Sequence, residues 1–454
     1  MTLRSPSPAR PAIVRFAPSP TGRIHIGNAR TAALNWLFAL KTGGRFILRL
    51  DDTDAARSTE EYARAIIEDL AWLGIEPAAT FRQSARLSLY EAAAETLKKA
   101  GELYPCYETE TELALKRKAQ LMAGRPPVYD RAALDLTAQA RAALEAAGRK
   151  PHWRFKLPEG AVRWDDAVRG PVEIQLSSLS DPVLIREDGT FLYTLPSVVD
   201  DIGMEITHVI RGEDHVVNTA VQIALTEALG GPVPLYAHHS LLVDRDGGAL
   251  SKRLGALGVA DLRARGLEPE TIVSYCATVA SAEPVAAHLD MTELAGRFEL
   301  AHLSRAPARF DTAELETLNA RLLHEMPYRM ARPRLEALGI AADAGIWEAI
   351  HGNIARMSEA ADWLAVVRGE IAPAIAEEDR DFLRQAAGLL PPEPWDGITW
   401  KAWTGALKEA TGRKGKALFM PLRLALTGQP HGPEMSKLLP LMGRKRVAKK
   451  LLFV

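Results

Sequence analysis

Apolar and polar positions alternate between two rhythms along the first quarter of the chain. Ala12 to Phe16 is a short apolar-rich segment interrupted by Arg15, and it reads as a strand. Residues 29–41 are a run of helix formers, and Phe46–Leu50 is apolar again. Strand, helix and strand predict a βαβ unit with a parallel sheet. Gly43-Gly44 supplies a left-handed stop for the helix. Asp51-Asp52-Thr53-Asp54 then falls at the carboxyl end of the second strand, where ligands bind in open α/β sheets. Ser58 and Glu61 have capping-box spacing, and Ile66, Ile67, Leu70 and Leu73 form one helical face that Gly74 ends.

Beyond Phe81 the pattern changes. Residues 87–104, 108–122 and 131–147 read as helices. Short strands follow at His152–Leu157, Val162–Trp164, Val172–Leu176 and Val183–Arg186. Asp188-Gly189 is a hairpin turn before a further strand, Phe191–Leu195. This mixed block interrupts the first sheet as an insertion would. Thr207–Arg211 as a strand and Asn218–Leu229 as a helix restore the first rhythm. Ser240–Val243 is another strand, leading into the polar, glycine-rich loop 244–253. Helical segments run to residue 325, and from Met326 the reading is nearly all helix, broken by Pro and Gly. Trp400, Trp403, Leu407, Leu418, Leu422 and Leu426 have helix-like spacing and are expected in a core. The expected division is 12–86 and 191–240 for the two halves of an α/β domain, 87–190 for the insertion, 241–325 for a helical connector, and 326–454 for a helical domain.

Composition narrows the function classes. A length of 454 residues suits two to four domains. No apolar run reaches membrane-spanning length and the start shows no signal-peptide pattern, so a cytosolic protein without a membrane partner is expected. Two cysteines, Cys106 and Cys276, exclude a disulfide framework and a cysteine-rich zinc site. The net charge of −1 argues against a nonspecific nucleic-acid binder. From Lys401 onward, however, twelve Lys and Arg stand against two acids, a local charge of +10 that fits a polyanion held at one place.

The chemistry concentrates in Arg15-Phe-Ala-Pro-Ser-Pro-Thr-Gly-Arg-Ile-His-Ile-Gly-Asn28. Pro18 and Pro20 forbid a continuous helix there, and Gly22 and Gly27 let the backbone approach a ligand closely. A helix start carrying His25, Gly27 and Asn28 offers unpaired N–H groups and a partial positive charge, which suits phosphate. A second candidate is Ala249-Leu-Ser-Lys-Arg253, about 225 residues later. Arg211, at a strand's carboxyl end, can grip a carboxylate in bidentate fashion or simply pair with Glu213 or Asp214. Asp51 on its own reads as an exposed strand-end carboxylate. His238-His239 looks like a metal pair but has no spaced carboxylate or Cys beside it, and a loop position is expected. Gly412-Arg-Lys-Gly-Lys416 is either a solvated helix start or an RNA-backbone contact. No G-x-x-x-x-G-K-[ST] loop and no G-x-G-x-x-G fingerprint is present.

The stretch from Arg15 to Asn28 resembles the first signature of the class I aminoacyl-tRNA synthetases, in the form worn by glutamyl-tRNA synthetases. Ala249–Arg253 resembles the second, with Ala249 where the general pattern has Lys. Pro421-Leu-Arg-Leu-Ala-Leu-Thr-Gly428 is similar to the helical anticodon-binding part of the bacterial members. The resemblance implies an α/β fold: a split Rossmann-like catalytic domain, an inserted α+β domain gripping the acceptor end of tRNA, and an all-α anticodon-binding domain. It implies glutamate activation by ATP with Mg2+ and transfer to tRNA(Glu), and in some relatives also to tRNA(Gln). Catalytic roles fall on His25 and Lys252. ATP contacts fall on His25, Gly27, Asn28, Asp214, Ser251, Lys252 and Arg253. Glutamate contacts fall on Arg15, Ala17, Ser19, Asp51, Tyr193, Ser197 and Arg211. Many relatives carry zinc in the insertion; with Cys106 alone there, no zinc and no other protein-bound metal is expected. The chain is expected to act as a monomer. A glutaminyl-tRNA synthetase, whose C-terminal part is rich in β-barrel, and a non-catalytic tRNA-binding paralogue are the rival readings.

Overall fold

Ile13–Phe16 (β1) is buried from Val14 onward because it lies inside a parallel sheet, where both faces of a strand are covered. The computed structural model describes residues 11–244, 247–248, 258–371 and 374–452. They fall into two compact units. The first comprises the chain to Arg263 with Ile272–Asp311, and the second comprises Ala264–Thr271 with everything from Thr312.

In the first unit β1 is followed by helix α1 (Ile26–Thr42), which Gly43 closes in the left-handed conformation with φ 60°. Strand β2 (Arg45–Leu50), helix α2 (Glu60–Trp72) and strand β3 (Ala79–Arg82) complete a three-stranded parallel sheet, ordered β1-β2-β3. The cap of α2 is Thr59, one residue after the expected Ser58. Its hydroxyl accepts the Tyr62 N–H at 3.2 Å, while the Ser58 hydroxyl is buried without a partner.

The insertion starts with α3 (Leu87–Lys99). The expected helix 87–104 stops early because Gly101 turns the chain with φ 72°, and Leu103–Cys106 becomes strand β4. Helix α4 (Glu110–Met122) has a capping box between Thr109 and Glu112. The expected helix 131–147 is divided: one short turn covers Ala132–Asp135, and Thr137 then caps α5 (Ala138–Ala146). Strands β5 (His152–Phe155), β6 (Ala161–Asp166), β7 (Gly170–Gln175) and β8 (Val183–Ile185) follow. They form an antiparallel β4-β5-β8 sheet and a β6-β7 hairpin. The insertion does not have a core of its own alone. Leu103, Phe155 and Leu184 join Ile47, Leu195, Val209 and Tyr236 in one continuous apolar cluster.

The expected strand Phe191–Leu195 is a correction. Phe191 makes a single bridge to Ile185, and Thr194–Gly203 is helix α6. Leu195 and Val198, three apart, are buried on one face of that helix, and Pro196 is tolerated in its first turn. Strand β9 (His208–Gly212), helix α7 (Val216–Ala228) and strand β10 (Leu235–His239) then form a second parallel pair. Strand β10 was not expected, and it corrects the loop reading of His238 and His239. The expected Ser240–Val243 strand is reduced to Leu242–Val243, paired with Ala308–Arg309. Thr207, just before β9, donates its N–H to Ile13 O at 2.9 Å and accepts the Ile13 N–H at 2.8 Å on its hydroxyl. β1 and β9 therefore adjoin, and the strands run in space β3-β2-β1-β9-β10.

The second unit is helical, with no strand among its described residues. Trp347 and Trp403 are fully buried, and each indole N–H finds a main-chain acceptor: Met326 O at 2.8 Å and Ala386 O at 3.0 Å. Leu407, Leu418, Leu422 and Leu426 are core, as their spacing predicted. Trp400 is half-buried, edge-on to Trp403.

Candidate active site

The strand order reverses between β1 and β9, and the crevice outside their carboxyl ends is where α/β sheets bind ligands. Arg15 lies near the end of β1 and Arg211 near the end of β9, 3% and 5% exposed. Burying a guanidinium is costly without a counter-charge, so the partners of each decide what the crevice can do.

Arg15 Nε bonds Asp201 Oδ1 at 3.2 Å. Arg49, on β2, is fully buried and bonds Asp51 at 2.7 and 3.2 Å, Asp201 at 2.7 Å and the Ser197 hydroxyl at 3.0 Å. Asp200 takes Arg86 at 2.6 Å and the Tyr90 hydroxyl at 2.8 Å, with Arg49 at 3.9 Å. Three arginines are thus matched by three aspartates, two of them on α6. Asp51 is neither exposed nor free: both oxygens face Arg49. Burial pushes its carboxyl above the ordinary value even against that partner. Burial acts the same way on Asp201, but Arg15 and Arg49 outweigh it and hold that carboxyl low. Ser197 is a ligand of Arg49 through both its hydroxyl and its carbonyl.

Arg211 differs. It makes four hydrogen bonds, to His238 Nε2 at 3.2 Å, the Tyr193 hydroxyl at 3.2 Å, Thr219 Oγ1 at 2.7 Å and His215 O at 3.4 Å. Every acceptor is neutral. The expected alternative partners are engaged elsewhere: Glu213 pairs with Arg169 at 2.7 Å, and Asp214 is mainly exposed beside His215. Among the described residues no carboxylate lies within ion-pair distance of Arg211. Burial draws its pKa down. Four of five N–H groups are used, so one Nη1–H remains, next to the hydroxyl of Tyr193, itself 37% exposed. That pair of donors matches the two oxygens of one carboxylate, a fork shared between arginine and tyrosine rather than the bidentate grip by the arginine alone that was expected.

The first turn of α1 is also more specific than a bare helix start. His25 is its N-cap, and its Nδ1 accepts the N–H groups of Gly27 at 3.1 Å and Asn28 at 3.4 Å. Asn28 Oδ1 returns a bond from the His25 N–H. Two of the donors expected to be open to phosphate are therefore capped by the ring. The ring proton must sit on Nε2, a single donor that the cap does not use. Desolvation keeps the imidazole pKa below its ordinary value. A Cβ on Gly27 would lie 3.0 Å from this ring, which explains glycine there. Ala17 and Ser19 follow β1, half-buried and exposed, with Pro18 O accepting the Asp51 N–H at 3.0 Å.

Ser251, Lys252 and Arg253 lie outside the described residues, as does Ala249. Their flanks are described. Ser240 O accepts Arg30 Nη1 from α1 at 2.5 Å, and Gly258 bridges His25, with Val259 N–H bonded to Ile24 O at 2.9 Å. Ser240 and Gly258, on either side of it, thus both lie beside α1. Among the described residues no group of three His, Cys, Asp or Glu is arranged to hold a metal ion.

Comparison with known proteins bears directly on this crevice. Residues 12–317 match the family model of class I tRNA synthetases (E and Q), catalytic domain, and residues 327–453 match an anticodon binding domain. The chain belongs to this family. It is 61% identical over 441 residues to glutamate–tRNA ligase 2 of Methylobacterium sp. (strain 4-46), covering 97% of this chain and 98% of that one. It is 57% identical to glutamate–tRNA ligase 1 of Maricaulis maris, covering 96% and 98%. A glutamate tRNA ligase from Elizabethkingia meningosepticum, solved in complex with its amino acid, superimposes with a TM-score of 0.83 at 26% identity, over 97% of this chain and 98% of that one.

Several residues of this class I synthetase were given no part in the site by the sequence: Arg49, Asp200, Asp201, Thr219 and, beyond a discounted metal pair, His238. Arg49 had one available signal, since an arginine inside an apolar strand demands an acid. The others are joined across 8 to 186 residues with no local pattern. No described helix is long and apolar enough to cross a membrane.

Proposed function

We propose that the protein activates L-glutamate with Mg-ATP and transfers it to the 2′-hydroxyl of the terminal adenosine of tRNA, in the cytoplasm and as a monomer. The observation that carries the reading is Arg211, a buried cation surrounded by neutral acceptors. The side-chain carboxylate of glutamate completes it, between Nη1–H and the Tyr193 hydroxyl. Glutamine brings an amide and leaves the charge unmatched, which is the kind of polar mismatch that discriminates strongly. By resemblance Arg15, Ala17, Ser19, Asp51 and Ser197 serve the rest of the amino-acid site, Asp51 and Ser197 through Arg49, which holds them both.

The α-carboxylate attacks the α-phosphorus of ATP. An O–P bond forms, the bond to pyrophosphate breaks, and glutamyl-adenylate results. The tRNA hydroxyl then attacks the acyl carbon and AMP leaves. His25 Nε2–H, Gly27, Asn28 and Asp214 contact ATP, and Ser251, Lys252 and Arg253 join them by resemblance. Magnesium arrives with the nucleotide. No side chain acts as a nucleophile: the work is alignment and stabilisation of phosphoryl charge. The inserted segment 87–190 holds the acceptor end, and the helical part from 326 holds the anticodon.

The test is ATP–pyrophosphate exchange with glutamate and tRNA present. The wild type exchanges, whereas a binding-only paralogue gives none. Arg211→Ala sharply raises the glutamate concentration required and leaves tRNA affinity nearly unchanged; a fall in tRNA binding instead would mean that Arg211 serves another ligand. Charging of purified tRNA(Glu) and tRNA(Gln) decides the scope, and equal rates reject a strictly glutamate-specific enzyme.

A further inference from the structure

His238 stands opposite Arg211 in the β9-β10 ladder, and two neighbours fix its protons. Arg211 Nε–H donates to Nε2, and a guanidinium keeps that proton at any working pH, so Nε2 presents a lone pair. The ring proton therefore sits on Nδ1 and is donated to Asp166 Oδ2 at 2.5 Å. Asp166, at the end of β6, is buried. Its Oδ1 accepts the N–H groups of Val168 at 3.0 Å, Arg169 at 3.0 Å and His238 at 3.1 Å. Thr219 Oγ1 closes the group, 2.7 Å from Arg211 Nη2 and 2.9 Å from His238 Nε2. The Tyr236 ring stacks parallel to the imidazole, with centroids 6.1 Å apart.

A carboxylate in the place of His238 would orient the guanidinium equally well but would neutralise it. An imidazolium would set N–H against N–H and cation against cation. A neutral imidazole, polarised by an ionised Asp166 on its far side, orients Arg211 and leaves its charge in place. We propose that Asp166 and His238 are positioning residues for Arg211: they fix the plane of the guanidinium while keeping its positive charge for the substrate's side-chain carboxylate. The inference rests on Arg211 being the group that receives that carboxylate. It also means that the insertion, through β6, contributes a residue to the amino-acid site.

The experiment compares full-length Asp166→Asn, His238→Ala, His238→Gln and Arg211→Ala in the exchange assay, measuring KM for glutamate, ATP and tRNA separately. In Asp166→Asn and His238→Ala the glutamate KM rises about tenfold while the other two stay within about twofold, as loss of one bond to a charged group predicts. His238→Gln recovers most of the loss, because its side-chain oxygen can accept from Arg211 Nε. If Arg211→Ala raises the glutamate KM but Asp166→Asn and His238→Ala do not, the positioning role is wrong and the substrate reading stands. If Arg211→Ala has no effect, both fail. A common rise in all three KM values, or no recovery in His238→Gln, makes the pair mere scaffold and also overturns the proposal. Asp166→Asn is near-isosteric, so its glutamate KM decides the matter even if His238→Ala does not fold.

Discussion

Two buried arginines in one crevice should respond oppositely to the same substitution. Arg49→Met removes a cation that touches Asp51, Asp200 and Asp201, and it leaves buried carboxylates short of a partner. Breaking a buried pair from one side costs about 3–5 kcal/mol. Arg211→Met removes a cation that has no acid beside it. Four bonds to neutral acceptors are lost, but Thr219 and His238 still bond each other, and an unmatched buried charge disappears. The ligand-free chain should lose no more than about 2 kcal/mol. Glutamate binding should suffer instead: the charge-assisted bond from Nη1–H to the carboxylate is lost with the charge behind it, about 3 kcal/mol and on the order of 100-fold in glutamate affinity, while the Tyr193 hydroxyl remains as the other donor. Urea unfolding of the first unit, with and without glutamate, reads both quantities. At about 100 times its Kd glutamate should stabilise the wild type by about 2.7 kcal/mol, and Arg211→Met by almost nothing. The reasoning fails if Arg211→Met loses as much ligand-free stability as Arg49→Met, or if glutamate still stabilises it.

Two further outcomes follow from the helix start and from β10. Gly27→Ala pushes a methyl group against the His25 ring, so exchange should fall about tenfold with the melting curve nearly unchanged; full activity would mean that the ring geometry is irrelevant to ATP. His239, bonded to the Thr31 hydroxyl at 3.1 Å and to Ser240 O at 3.0 Å, has its pKa pushed down to about 3 by burial, with Arg30 adding to the shift. Its folded value lies below its unfolded one, so its contribution is complete above about pH 6.5 and is lost as pH falls toward 3. Between pH 8 and pH 5 this residue should cost the wild type about 2 kcal/mol. His239→Asn should flatten that part of the urea-derived stability profile, and an unchanged slope would refute the assignment.

What was legible in the chain is what local chemistry controls. Strand β1, the left-handed Gly43, helix α1 and strand β2 follow from periodicity and stop residues a few positions apart. His25 was legible as the entry to α1, although its capping of Gly27 and Asn28 was not. The crevice was half legible. Arg15, Asp51, Ser197 and Arg211 came from resemblance; the structure puts the first three in the network around Arg49 and Asp201, and Arg211 among neutral acceptors. The acids that neutralise Arg15 and Arg49 were hidden because Phe191–Leu195 reads as a strand, whereas the chain turns into α6 and carries Asp200 and Asp201 inward. Strand β10 was hidden for a related reason. Two adjacent histidines suggest an exposed loop, and only distant groups, Asp166 from the insertion and Thr31 from α1, satisfy their nitrogens.

The hydrogen bonds between Ile13 and Thr207 span 194 residues. During synthesis, at roughly 5–20 residues per second, the open side of β1 waits on the order of 10–40 s for its neighbour. Throughout that interval the nascent chain exposes an apolar strand edge that other chains could pair with. The early α/β half and the insertion must hold themselves together alone until the second half leaves the ribosome. Chaperone demand and misassembly of this protein should therefore concentrate in that window, and slowing translation between residues 87 and 207 should lower its soluble yield.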